Sequence, residues 1–182
     1  MTRALILGAL GQVGSALQRT APSSALVVAR DLPDTDVCDR AAVARAIDEA
    51  RPNVVINCAA FTKVDDAETQ ADAALAANGV APGTIAELSA SVGARFIHIS
   101  TDYVFDGRAH HPYPTDAAVA PLNVYGTTKL EGERRTLAAD QSPRESLLRS
   151  CSPLKRAGRE RASGYQGARP ERRARSRLTS NR

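Results

Sequence analysis

Short apolar runs alternate with longer segments of helical spacing through the first 140 or so residues of the chain. Arg3–Leu7, Ala25–Ala29, Asn53–Asn57 and Arg95–Ile99 are runs of a few residues, nearly continuous in Val, Ile, Leu, Phe or Ala. Runs of that length, bounded by Gly, Pro or Asp, predict strands buried on both faces. Between them, Gln12–Arg19, Arg40–Ala50 and the Ala-rich stretch Asp66–Val92 have helical character, with Asp39 placed as an N-cap and Pro82-Gly83 predicted to break the third stretch. Residues 102–124 carry Gly107, Pro112, Pro114 and Pro121 and predict a loop, and Val124–Ala139 predicts a further helix. Strand and helix alternate, so the expected class is α/β: a doubly wound parallel sheet with helices on both faces. Ser146-Leu147-Leu148-Arg149 is a candidate start of a fifth strand.

From Cys151 the periodicity stops. Leu154 and Leu178 are the only large aliphatic residues there, among Arg, Ser, Gly, Ala and Pro. Charge changes at the same place: residues 1–143 hold 12 Lys and Arg against 17 Asp and Glu, and residues 144–182 hold 12 against 3. The net charge of +4 thus hides an acidic part and a basic part. The expected organisation is one domain over residues 1–145 and a basic, low-complexity tail over 146–182. The tail cannot bury enough apolar surface to offset the entropy of ordering and is expected to be disordered.

Composition adds a few exclusions. Cys38, Cys58 and Cys151 are odd in number and far apart, with no CxxC spacing, which speaks against a disulfide scaffold or a zinc site and for a reducing cytoplasm. No apolar run approaches the roughly 20 residues that span a bilayer. The stretch Ala4–Leu7 breaks at Gly8 and reads as a strand entering a glycine turn, not as a targeting segment. The basic tail could meet phosphate backbones, but it has no aromatic beyond Tyr165 and no recognised motif, so nucleic acid is not the expected partner. His110-His111 reads as solvated loop, His98 as a packed strand residue, and Glu131–Arg135 as an exposed helix face.

Three groups carry chemistry. Gly8, Gly11 and Gly14 lie between the first strand and the first helix, where glycines let a pyrophosphate approach the backbone and a helix N-terminus faces its charge. Asp31 follows the second strand, where a carboxylate can bind an adenosine ribose; its neighbour Arg30 could instead meet a 2′-phosphate, which leaves NADH and NADPH both open. Tyr125 and Lys129 share a helix face, and Thr101 lies at the end of the fourth strand. A protonated Lys beside a phenol would lower its pKa from about 10 and make Tyr125 a general acid, with Thr101 on the same carbonyl oxygen.

The glycine spacing GxxGxxG and the YxxxK pair resemble the extended short-chain dehydrogenase/reductase superfamily and imply a Rossmann-like domain. The stretches Asn57–Asp65, Ser100–Gly107 and Pro121–Lys129 resemble the dTDP-4-dehydrorhamnose reductase family over about residues 1–140. That resemblance implies NAD(P)H-dependent reduction of the C4 carbonyl of dTDP-4-dehydro-L-rhamnose to dTDP-L-rhamnose, a cell-wall sugar donor. Gly11, Gln12 and Val13 would touch the pyrophosphate, with Gly8 and Gly14 shaping the loop. Asp31, Asp36 and Val37 would hold the adenosine end, and Ala60, Phe61 and Thr62 would line the cofactor channel. Thr101 and Asp102 would contact the sugar nucleotide, Tyr125 would donate the proton, and Lys129 would bind the nicotinamide ribose. The resemblance also admits a magnesium ion and a homodimer.

A second reading is a non-catalytic dinucleotide-binding protein resembling the regulatory subunit of methionine adenosyltransferase; the intact Thr101, Tyr125 and Lys129 argue against it. Family members continue well beyond this point into a substrate domain that the chain is expected to lack. Its tail resembles out-of-frame translation of GC-rich sequence, so a shift of frame near residues 140–151 and an inactive product are the expectation.

Overall fold

The computed structural model describes residues 1–114, 116–139 and, as strand backbone, 146–150. The segment from Cys151 onward, expected above to be disordered and out of frame, lies outside the described residues. Strands β1 (Thr2–Leu7), β2 (Ala25–Arg30), β3 (Val54–Asn57), β4 (Arg95–Thr101) and β5 (Ser146–Ser150) form one sheet in the order β2-β1-β3-β4-β5. All four pairings are parallel. Leu5 stands beside Val28 on one side and Val55 on the other, and Val55 beside Phe96. β5 pairs with β4, so residues 146–150, the candidate fifth strand, belong to the sheet.

Helices α1 (Gln12–Thr20), α2 (Arg40–Ala50), α3 (Val64–Ala67), α4 (Ala71–Leu75), α5 (Ala81–Ser91) and α6 (Val124–Ala139) fill the connections. Leu5, Leu7, Val43, Ile47, Val55, Ile85 and Phe96 form the main core, where the sheet meets α2 and α5. Ile6, between Leu5 and Leu7, is also buried, so β1 is covered on both faces, as its unbroken apolar run requires. Each such side chain contributes about 1.5–3 kcal/mol of transfer free energy. Asp39 caps α2 as expected, its carboxylate accepting from Ala41 N at 2.8 Å.

Two expectations are corrected. Pro82 and Gly83 do not break the Ala-rich stretch. They lie in the first turn of α5, which follows a π-helical turn, Ala76–Val80, running on directly from α4. A proline clashes with the carbonyl four residues before it and offers it no N–H; the wider π turn moves that carbonyl, Asn78 O, out of the way. The other correction is at Glu131–Arg135, which is not simply an exposed face: Gly132 and Glu133 are buried. A Cβ on Gly132 would lie 2.1 Å from Asn78 O, and one on Gly126 2.3 Å from Tyr103 O. Glycine thus allows α6 to run against the π turn and the loop after β4.

Candidate active site

The order β2-β1-β3 places successive connections from β1 on opposite sides, and the crevice beyond the ends of β1 and β3 is where such sheets hold ligands. A cleft of about 760 Å³ opens there. Gly8 follows β1 with φ of +75°, and a Cβ on it would lie 2.4 Å from Ala59 N. Gly14 is buried beneath the loop, where a Cβ would meet Gly8 O at 2.3 Å. Gly11 stands at the N-cap of α1 without a side chain to bond the first-turn amides, and Gly11, Gln12 and Val13 line the cleft. Asp31, Asp36 and Val37 line its other wall, and Ala60, Phe61 and Thr62 its third side. The structure therefore gathers every residue expected at the dinucleotide except Gly14, which supports the loop from below, and the Tyr125–Lys129 pair.

Asp31 does more than border the cleft. Its Oδ2 accepts from Leu10 N at 2.6 Å and its Oδ1 from Leu32 N at 2.8 Å, so the carboxylate clasps the glycine loop to the end of β2. Arg30 is turned to Glu49, at 3.0 Å.

Tyr125 stands at the C-terminal end of β4, on the same edge of the sheet as the cleft. Asn123 caps α6, its Oδ1 accepting from Gly126 N at 2.7 Å, and Glu68 accepts from Val124 N at 2.9 Å. Those bonds set the first turn of α6 beside Thr101, the last residue of β4. The Thr101 hydroxyl accepts from Tyr103 N at 3.2 Å and donates to Asp102 Oδ1 at 3.3 Å. Tyr103 and Tyr125 meet edge to face at 5.4 Å. Burial pushes the Tyr125 phenol above its ordinary range; a hydrogen bond with Thr101 pulls the other way, and the charge of Asp102 adds to the rise. The expected depression by Lys129 is absent, for a geometric reason. Lys129 is 1% exposed and turned inward, donating to Ile99 O at 2.6 Å and lying 3.2 Å from His98 Nε2. Burial lowers the lysine to about 8, opposed by the charge of Glu133.

Sequence reading missed three residues here. Asn78, at the centre of the π turn, is fully buried and bonds both the amide and the carbonyl of Phe61. Its signal was present: Asn-Gly inside an Ala-rich helix is unfavourable unless the pair has a partner. Asn57 and Glu133 gave no comparable signal. Asn57 Nδ2 lies 3.3 Å from His98 Nδ1, and Glu133 accepts from Ser100 Oγ across the interface of α6 and β4. His110 and His111 are exposed loop residues. Among the described residues no cluster of three or more His, Cys, Asp or Glu side chains forms that could hold a metal ion. None of the described helices is long and apolar enough to cross a membrane.

Fold and cleft define the class: a Rossmann-like α/β domain of the short-chain dehydrogenase/reductase type. The family model of the RmlD substrate binding domain matches residues 2–160, and the chain belongs to that family. It is 45% identical over 139 residues to the dTDP-4-dehydrorhamnose reductase of Mycolicibacterium smegmatis, covering 75% of this chain and 42% of the relative. It is 43% identical over 159 residues to a probable dTDP-4,6-dihydroxy-2-methyloxan-3-one 4-ketoreductase of Streptomyces antibioticus, covering 86% and 53%. The crystal structure of the Bacillus anthracis dTDP-4-dehydrorhamnose reductase in complex with NADP superimposes with a TM-score of 0.77 at 35% identity, covering 81% of this chain and 52% of that one. The chain spans about half the length of the curated relatives it matches.

Proposed function

We propose that this chain carries the dinucleotide-binding and proton-donating part of an NAD(P)H-dependent reductase of sugar nucleotides. Its reaction is reduction of the C4 carbonyl of dTDP-4-dehydro-L-rhamnose to dTDP-L-rhamnose, in the cytoplasm. The observation that carries this reading is the cleft at the ends of β1 and β3, whose floor has no room for a Cβ at Gly8. The residues present fit a dinucleotide: bare amides of the first turn of α1 for the pyrophosphate, and Asp31 and Asp36 at the adenosine wall.

A bound nicotinamide would supply hydride. Tyr125, protonated because burial disfavours its phenolate, would donate a proton to the carbonyl oxygen, and Thr101 and Asp102 would orient the sugar. Relatives named for the same reaction and an NADP-bound relative of the same fold support the assignment. Asp31 lines the proposed adenosine wall and Arg30 precedes it in the chain, so NADPH and NADH are both tested.

Dinucleotide fluorescence titrated with the full chain tests the first half of the reading; saturable binding is expected, and its absence would sink the proposal. Consumption of NADPH or NADH with dTDP-4-dehydro-L-rhamnose tests the second. Tyr125→Phe is expected to keep dinucleotide binding and to lower any turnover by about 10²- to 10⁴-fold.

A further inference from the structure

The cleft beyond β1 and β3 carries charge of one sign. Asp31 and Asp36 stand on its adenosine wall, and among the described residues that line it there is no Lys, Arg or His. Asp31 is fixed in place. Its two oxygens accept from Leu10 N at 2.6 Å and Leu32 N at 2.8 Å, so the carboxylate cannot swing out of the wall without releasing the glycine loop. Asp36 is tied in a similar way, its Oδ1 accepting from Cys38 N at 2.8 Å. A carboxylate has about four lone-pair sites, so the two amides leave room on Asp31 for a further donor.

Arg30 does not line this cleft. It lines a smaller cavity of about 360 Å³ that also has Asp31 in its wall. There Arg30 donates from Nη2 to Glu49 Oε2 at 3.0 Å and from Nη1 to Ala29 O at 3.2 Å. Arg45 lines the same cavity, with Asp34 and Glu49, so the carboxylates match or outnumber the guanidiniums there too. Neither cavity offers an excess of positive charge.

We propose that this cleft selects NADH over NADPH: the fixed carboxylate of Asp31 takes the ribose 2′-hydroxyl and rejects a 2′-phosphate, while Glu49 keeps the Arg30 guanidinium in the neighbouring cavity. The two dinucleotides differ at that one position. A hydroxyl has a proton to donate to a remaining lone pair of Asp31. A phosphate monoester carries about 1.5 to 2 negative charges at pH 7. Against Asp31 and Asp36 it meets like charge that cannot move away, and the wall supplies no cation to offset it. A relative of the same fold holds NADP, and the preference drawn here belongs to the wall of this chain.

The inference rests on the dinucleotide reading of the cleft. Fluorescence titration of the full chain with NADH and with NADPH, in one buffer of low ionic strength, tests it without substrate. NADH is expected to bind at least about tenfold more tightly. The preference should shrink as salt is raised from about 0.01 to 1 M, where the screening length falls from roughly 30 to 3 Å. NADPH binding as tightly as NADH, or a preference that salt leaves unchanged, overturns this proposal and leaves the reductase reading standing. Binding of neither dinucleotide overturns both. Asp31→Asn removes the charge and keeps one acceptor for the loop, so the ratio of the two affinities is expected to fall to about threefold or less, chiefly through tighter NADPH. An unchanged ratio in folded Asp31→Asn overturns the proposal. If that variant does not fold, the ratio and its salt dependence in the unsubstituted chain decide alone.

Discussion

Asn78 and Phe61 are joined by a two-way amide clasp, with Asn78 Oδ1 accepting from Phe61 N at 2.8 Å and Asn78 Nδ2 donating to Phe61 O at 3.0 Å. The same Nδ2 lies 3.3 Å from Thr128 Oγ1, one residue before Lys129. One buried amide thus ties the wall of the cleft to the helix that carries Tyr125.

Asn78→Ala should therefore act at a distance from any ligand. It leaves the Phe61 amide and carbonyl without their partner, at a cost of about 1–3 kcal/mol. Urea unfolding is expected to show that loss, and dinucleotide affinity to fall with it, because Ala60–Thr62 lose their fixed position. Undiminished affinity with lowered stability would show that the clasp serves folding alone.

Gly132→Ala is expected to destabilise by about 1–3 kcal/mol. The added methyl meets Asn78 O, a backbone atom that cannot rotate away. Gly107→Ala makes the contrast: its Cβ would meet nothing within 4 Å, and only the φ of +68° resists it. Gly107→Ala should cost less in denaturant midpoint than Gly132→Ala.

Buried Lys129 makes stability depend on pH. Its value is about 8 in the fold against 10.5 for an ordinary lysine, so between those values the unfolded chain binds more protons. Stability from this group therefore rises as pH climbs from about 8 to 10.5, and the cost of the buried charge is fully present below 8. Lys129→Met is expected to be more stable than the natural chain at pH 7 by about 1–3 kcal/mol, with the gain shrinking at alkaline pH. Equal stability of the two chains across this range, by urea unfolding, would contradict it.

Arg30 is held by Glu49 next to Asp31, which lines the cleft. Glu49→Gln should free the guanidinium for a 2′-phosphate. The ion pair is largely exposed, so the expected gain in NADPH affinity is modest, about fivefold at most, with NADH unaffected. An equal change for both dinucleotides would show that Arg30 does not reach the 2′ position.

The sheet was legible because its strands are buried on both faces, and an unbroken apolar run such as Ala4–Leu7 has few other uses. Gly8, Gly11 and Gly14 were legible for a related reason: glycine there is required locally, by the turn and the start of α1. The helix break expected at Pro82 failed because the signal was read locally. A proline forbids one hydrogen bond, but a π turn supported by Asn78 and Gly132 absorbs the loss, and those partners lie 50 residues or more apart in the chain for Asn78 and Thr128.

By itself, then, the amino-acid order determined the α/β layering, the glycine turn, and which positions carry the hydroxyl, phenol and amine groups. Each follows from period, backbone freedom or functional group. Tertiary structure alone decided the state of those groups. Tyr125 and Lys129 share a helix face in any helix, yet the phenol faces Thr101 while the ammonium carbon chain runs inward to Ile99 O and His98. Protonation depends on burial and on the donors and acceptors brought within 3 Å or so by the fold, and neither is written in the spacing of two residues.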